Sequence, residues 1–461
     1  MTVFLVGTIV LPTFAQPNQA MQAFDRRVVQ RIDIDNIWGH LEVLTEDIGV
    51  RATGTSEEIV AAHYLAGVFE SYGYDVVLQE YDLPDFVIVP EVNVVAPFEY
   101  KLYPAPATRS GLTTGDGLTA QLMDWGDSLT PPDGWESGMI AMMNQIGTST
   151  NYTTQRDAAL GADASAVVIV FRSKEIQLRG GFVDAPTSIP VIAVHPGQAE
   201  DIRYLLEEDE VILNIQLEID KPSYNVVATR ESNNKNKPND EVLIIGGHYD
   251  SVYGSPGAND NAASPCTMLE IARVLANYPL DMDLVFVAFG GEERGFLGAR
   301  AYVDSLSEEQ KASVAGMINL EMLGSAYEPV EYLYVATGLA GAPTSFLTDS
   351  MIASGARIGK EVQWGGRVMG SDHMPFHWAG ITACVVARAY PGPIPWDPLG
   401  RFGLEPQYHA PTDTMEYMCK DRLEESARII AVAVHDISRK QVPSLTRSAI
   451  RRDLPEVSFP D

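Results

Sequence analysis

The stretch Leu243-Ile244-Ile245-Gly246-Gly247-His248-Tyr249-Asp250-Ser251 opens as a short apolar run, breaks at two glycines, and then delivers a histidine and an aspartate at i and i+2. A continuous apolar run of this length predicts a strand buried on both faces. Beyond the glycines, residues two apart in an extended chain point the same way, so the imidazole of His248 and the carboxylate of Asp250 can share one site. A metal-binding histidine needs its second ring nitrogen held by an acceptor, and Asp250 is placed to supply one. A lone His-x-Asp more often marks a satisfied histidine at a strand end, so the reading depends on what else ends the same way.

Downstream, Gly257-Ala258-Asn259-Asp260-Asn261 is a glycine-led turn into a helix predicted over 268–277. The apolar run Leu284-Val285-Phe286-Val287-Ala288-Phe289 ends in Gly290-Gly291-Glu292-Glu293, and Gly316-Met317-Ile318-Asn319-Leu320 ends at Glu321. A further run over 381–386 is followed by Tyr408-His409. Apolar strands alternating with helices predict an α/β fold, a mostly parallel mixed sheet covered by helices on both faces. Functional groups in such sheets collect outside the carboxyl ends of strands. His248, Glu292, Glu293 and Glu321 occupy such ends, and Asp260 and His409 lie on loops from the same edge. Carboxylates this close raise one another's pKa unless cations lie between them. Two divalent ions ~3.5–4 Å apart, sharing one carboxylate, resolve the repulsion. Nitrogen and oxygen donors without thiolate fit zinc best, with cobalt or manganese as substitutes.

Upstream, Thr55-Ser56-Glu57-Glu58 predicts a capping box, with a helix behind it that Gly73 closes and strands over 74–81 and 93–96. From about residue 101 turn residues crowd the chain, and short strands over 139–143, 166–170, 190–194 and 211–217 predict a smaller inserted α/β domain. Asn225-Val226-Val227-Ala228 then echoes Asn93-Val94-Val95-Ala96, as if the host sheet resumed. The expected organisation is a signal segment 1–16, the first part of the main domain 20–100, the insert 101–221, the main part 222–442 and a polar tail 443–461. The last helix, over 421–440, puts Leu423, Ala427, Ile430, Val434 and Ile437 on one face.

Hydrophobic content of 46% and charged content of 20% are those of a soluble globular protein. A formal net charge of -30 counts against nucleic acid and anionic membrane as partners. The apolar run over 3–15 ends in small residues and is too short to span a bilayer, so it reads as an export signal without a basic start. The protein is therefore expected to be secreted or periplasmic, with no membrane span. None of the three cysteines lies in a C-x-x-C pattern, and Cys384 within Ala383-Cys384-Val385-Val386 reads as a buried thiol. His195 reads as a surface residue, and His40, His63, His377 and His435 as structural.

Taken in order, Gly247-His248-Tyr249-Asp250-Ser251, Gly257-Ala258-Asn259-Asp260-Asn261, Gly291-Glu292-Glu293, Asn319-Leu320-Glu321-Met322 and Tyr408-His409 resemble the motifs of the di-zinc exopeptidase family. That family includes secreted bacterial aminopeptidases, glutamate carboxypeptidases, glutaminyl cyclases and the transferrin-receptor ectodomain. The resemblance covers 30–96 and 222–440. The insert, through its strand pattern and Gly161-Ala162-Asp163-Ala164-Ser165-Ala166-Val167-Val168, looks like a protease-associated domain.

The resemblance implies peptide substrates and two zinc ions. Asp260 would bridge them, His248 and Glu321 would complete one shell, and Glu293 and His409 the other. Glu292 would be general base and then acid toward the bridging water and leaving amine, Asp250 would orient His248, and Tyr408 would hydrogen-bond the oxyanion. It further implies a cis peptide at Asp260–Asn261 and a cleft loop at Gly370-Ser371-Asp372-His373, with His373 near substrate. The family's usual residue at position 321 is aspartate; glutamate keeps the charge but moves the carboxylate by roughly 1.5 Å. The direction of attack stays open. Family majority and the acidic site favour an aminopeptidase. A carboxypeptidase would need an arginine fork, for which Arg294, Arg367, Arg388 and Arg401 are candidates. A glutaminyl-cyclase-like enzyme would typically use one zinc, and a receptor-like binding domain would have lost ligands or base.

Overall fold

A computed structural model describes residues 19–174, 177–178, 180–234, 241–337, 344–367, 370–388 and 405–439. The expected leader 1–16, the polar tail 443–461 and Arg401 lie outside them.

Two eight-stranded sheets organise the chain. The first runs, edge to edge, Asp75–Asp82, Pro222–Arg230, Asp283–Phe289, Val242–His248, Val314–Glu321, Ala383–Ala387, Leu333–Thr337 and Val362–Arg367. Its four central strands, from 283–289 to 383–387, are parallel, so their carboxyl ends share one edge. Antiparallel strands flank them on both sides. The strands are apolar throughout because both faces are covered. Leu243 and Ile245 join one core with Phe286, Ile318 and the helices Ser56–Ser71, Ala263–Leu275 and Lys420–Ser438. Ile244, between them, belongs to the opposite core with Val285, Val287, Met317 and the helices Leu297–Ser305 and His373–Trp378. Each fully buried side chain of this kind contributes about 1.5–3 kcal/mol.

The second sheet runs Tyr100–Leu102, Val89–Ala96, Ile212–Glu218, Leu118–Gly126, Ile140–Asn144, Ala166–Val170, Val191–Val194 and Ala105–Pro106. Its central strands also divide their residues between two cores, Val167 and Ile169 on one face, Ala166 and Val168 on the other. The strand at 93–96 differs from expectation. It pairs with Ile212–Glu218, Asn93 opposite Asn214, and so belongs to this second sheet, which begins at Val89 rather than near 101. Alternation reports that a strand has a buried face, not which partner covers it.

Two local readings also shift. The helix after Gly257 starts at Ala263, five residues before Met268, because Pro265 falls in the first turn, where no N–H partner is required. The Thr55 hydroxyl does accept the Glu58 N–H at 3.4 Å. The Glu58 carboxylate turns inward instead of closing the box, accepting from the Gly54 N–H at 2.6 Å and the Ser223 hydroxyl at 2.8 Å. Cys266, Cys384 and Cys419 are free thiols, the first two buried. Among the described residues no helix is long and apolar enough to cross a membrane.

Candidate metal centre

The shared edge of the parallel strands gathers the polar residues. His248 and Glu321 are the last residues of their strands, and Glu292 and Glu293 form a short turn just past Phe289. His248 Nε2 lies 3.3 Å from Asp260 Oδ1 and 3.3 Å from Glu321 Oε1. His409 Nε2 lies 3.0 Å from Asp260 Oδ2 and 3.1 Å from Glu293 Oε1. The two trios share Asp260, and within each the donor atoms fall within 4.8 Å of one another. The longer arm of Glu321 therefore reaches His248 as closely as Asp260 does.

The atoms fit a cation. Asp260 Oδ2, Glu293 Oε1 and Glu321 Oε1 are buried and make no hydrogen bond. Buried polar atoms are hydrogen-bonded as a rule, and carboxylate oxygen and imidazole nitrogen atoms converging in this way form a donor set. Nitrogen and carboxylate oxygen without thiolate suit zinc. The electrostatics agree. Burial opposes charge on His409, yet the Glu293 and Asp260 carboxylates beside it push its imidazole up to about 10. His248 is likewise raised, against its burial, by Glu321 and Glu292. Burial works to raise Asp260, and the two imidazoles hold it below the ordinary carboxylate range. The cluster attracts protons to offset its carboxylates, and a divalent ion can do the same.

Close packing sets the Glu292–Glu293 turn. Gly290 passes so near its neighbours that a Cβ there would meet Ser223 Oγ at 2.6 Å and Glu58 Oε1 at 2.7 Å. Asp250, fully buried, accepts the Glu292 N–H at 3.0 Å, the Glu293 N–H at 3.3 Å and the Thr53 hydroxyl at 2.9 Å. This adds to its expected part beside His248. His248 Nδ1 sits 3.1 Å from the main-chain oxygen of Asp250 and 3.4 Å from its carboxylate. The carbonyl orients the ring, while the carboxylate fixes the turn bearing Glu292 and Glu293. Glu292 is buried, which raises its carboxyl pKa well above the usual value, and its Oε2 is 3.9 Å from His248 Nε2.

Several positioning residues gave no sequence signal. Asp413 accepts the N–H groups of Asn259 and Asp260 at 2.9 and 3.0 Å, tying the loop of His409 to that of Asp260. Glu405 accepts from Asn259 Nδ2 at 2.7 Å and from the Ser325 hydroxyl. Arg51, fully buried, donates to the main-chain oxygens of Tyr249, Leu44, Gly49, Pro256 and Gly257, which pins the chain on either side of the cluster. Glu405 and Asp413 each lie four residues from His409, but no periodic pattern marks either.

The remaining expectations divide. The Asp260–Asn261 peptide is cis. Tyr408 stacks on His409, ring centroids 3.7 Å apart, and burial with Asp260 and Glu293 nearby raises its phenol pKa. Ser371 serves Glu321, donating to Oε2 at 2.6 Å while receiving Asn319 Nδ2 at 2.7 Å. His373 is fully buried, edge-on to His377, and does not face a cleft. Arg388 is 1% exposed and spent on Glu425, Ser426 and the Glu331 carbonyl, so it cannot fork a substrate carboxylate. The side chain of Arg367 lies outside the described residues. His195 is buried, not surface, 6.3 Å centroid to centroid from Phe171, and it faces Gly254, where a Cβ would come within 2.5 Å of its ring.

Imidazole and carboxylate donors gathered at this edge of a mixed sheet form a candidate metal centre, and the proteins this chain resembles are peptidases. Residues 225–434 match Peptidase family M28. It is 29% identical over 450 residues to aminopeptidase YwaD of Bacillus subtilis (strain 168), covering 96% of this chain and 93% of that protein. The probable lipoprotein aminopeptidase LpqL of Mycobacterium tuberculosis is 27% identical, covering 88% of this chain and 85% of its own length. Among solved structures, the zinc aminopeptidase BSAP from Bacillus subtilis superposes with a TM-score of 0.61 at 28% identity, covering 88% of this chain and 95% of that one.

Proposed function

We propose that the chain is a zinc-dependent aminopeptidase releasing N-terminal residues from peptides. The observation that carries this reading is the pair of donor trios sharing Asp260, with Glu292 beside them. His248, Glu321 and Asp260 would hold one ion, and His409, Glu293 and Asp260 a second. Zinc so held lowers the pKa of a water and polarises a carbonyl. The remaining work falls to the chain. Glu292, buried and raised in pKa, is suited to take a proton at its carboxylate and hand it to the leaving amine. Asp250 keeps Glu292 and Glu293 in register through their N–H groups. Tyr408 stays protonated and can donate its O–H to the carbonyl oxygen as that oxygen takes up negative charge. The surplus of carboxylates favours a free ammonium at the amino end of the substrate.

The second unit is read as a protease-associated domain, and the segment 1–16 as an export signal for a secreted or periplasmic enzyme. The name of the mycobacterial relative, a lipoprotein, is in keeping with export. The reading is tested with aminoacyl-p-nitroanilides. Hydrolysis should require a free amine, disappear on N-acetylation and on chelation, and return with zinc. Cleavage of N-blocked dipeptides that requires their free carboxylate would overturn the aminopeptidase direction.

A further inference from the structure

A cavity of about 310 Å³ opens between the two units directly beside Glu293. Thr53, Tyr253 and Arg294 line it from the catalytic side, and Thr108, Gln177 and Gly181 from the second unit. Arg294 is the next residue after a proposed zinc ligand, so its Cα lies about 3.8 Å from that of Glu293. Its guanidinium sits over the Tyr253 ring, 5.8 Å from the centroid, and the Tyr253 hydroxyl is itself committed to the Ile88 carbonyl at 3.1 Å. The opposite wall is equally fixed. Thr108 N–H donates to the Gly181 oxygen at 2.9 Å, and Phe182 N–H to that of Thr150 at 2.9 Å.

Like Arg51 and Arg230, Arg294 holds no carboxylate among the described residues, but those two are spent on main-chain oxygens. The chain has 62 acidic against 32 basic residues. Arg156, Arg203, Arg273, Arg357 and Arg388 each hold a carboxylate. Arg294 has no ion-pair partner among the described residues, although it lines a cavity next to a carboxylate-rich centre. A partly buried arginine kept free in such a field is a receptor for an anion from outside, and its planar fork matches a carboxylate. On a peptide whose ammonium stays with the acidic groups, the anion at the other end is the C-terminal carboxylate. An extended chain advances about 3.3–3.6 Å per residue. A guanidinium in a cavity that Glu293 also lines can meet a carboxylate a short way beyond the scissile bond.

We propose that this cavity is a carboxylate-recognising leaving-group pocket that directs the enzyme to dipeptides and tripeptides, with Arg294 as its specificity determinant. The proposal rests on the aminopeptidase reading above. The test measures kcat/KM of the zinc-loaded full chain for Leu-Gly and Leu-Gly-Gly against their C-terminal amides, with leucyl-p-nitroanilide alongside. The free acids should be preferred about 10- to 100-fold. Arg294→Met should bring the acid-to-amide ratio to about one, and Arg294→Lys should retain part of it. Should Arg294→Met not fold, the wild-type ratio and its decline with added salt decide. Equal rates for acid and amide in the wild type, or a ratio unchanged in Arg294→Met, would overturn the pocket. If leucyl-p-nitroanilide is still cleaved in that case, the aminopeptidase reading stands; if no free-amine substrate is cleaved, both fall.

Discussion

Replacing Asp250 by asparagine changes one atom and one charge at the point where the strand end and the Glu292–Glu293 turn meet. Asp250 accepts from Glu292 N–H, Glu293 N–H and the Thr53 hydroxyl, and it has no exposed surface. Asparagine keeps one acceptor oxygen, while its Nδ2 can only donate. With the oxygen toward Glu292, Nδ2 faces Glu293 N–H, and Thr53 can turn its hydroxyl to accept. One main-chain N–H is then orphaned, at about 1–3 kcal/mol. The bond that survives loses its charge assistance, about another 1 kcal/mol. Against this, removing the charge relieves Glu58, whose carboxyl Asp250 helps raise, so a net loss of about 1–3 kcal/mol is expected. Urea unfolding of the metal-free protein reads that loss. The kinetic effect should be larger than the thermodynamic one implies, because Glu292 and Glu293 lose their common anchor; a displacement near 1 Å lowers kcat/KM by about 10²-fold. Stability within about 0.5 kcal/mol of wild type together with near-normal kcat/KM would refute this account of Asp250.

Two further outcomes follow from the buried imidazoles. Burial pushes His195 down to about 4, whereas in the unfolded chain it titrates near 6.5. Between those values the unfolded chain holds the proton and the folded chain does not. The contribution of His195 is therefore complete above about 6.5 and lost as pH falls toward 4, about 2 kcal/mol by pH 5. Urea titrations at pH 7.5 and 5 should show that slope reduced in His195→Gln, and an equal slope would contradict it. At the metal centre, His409 near 10 and the raised His248 are protonated in the metal-free protein at pH 7. Since a metal ligand must be neutral imidazole, saturating zinc should release roughly two protons per chain, read by calorimetry in buffers of different ionisation enthalpy. Binding without proton release would remove both imidazoles from the coordination.

What the sequence made legible was whatever repeats along the chain. Apolar runs that end in His248, Glu293 and Glu321 announced parallel strands and the edge where they meet, because burial on both faces forbids polar residues until the strand stops. That rule placed Glu321 and Glu292 at the shared edge, and the family resemblance supplied their expected roles. The same rule could not assign Val89–Ala96 to the second sheet, since an apolar strand carries no label for its partner. Nor could it find Arg51, Glu405 or Asp413. Each makes at least one hydrogen bond to a residue 146 to 206 positions away, and a single charged residue in a loop has no period to read. For Asp250, i and i+2 spacing brought its carboxylate near His248 without revealing that it would also accept the Glu292 and Glu293 N–H groups.

The central claim is that proton transfer rests on Glu292 while other residues hold the metal. Its most direct test is Glu292→Gln, with zinc content by elemental analysis and kcat on leucyl-p-nitroanilide measured on the same sample. The account predicts zinc content equal to wild type and kcat lower by ~10²–10⁴-fold. A variant that keeps its zinc and near-normal kcat would show that the proton moves through some other group.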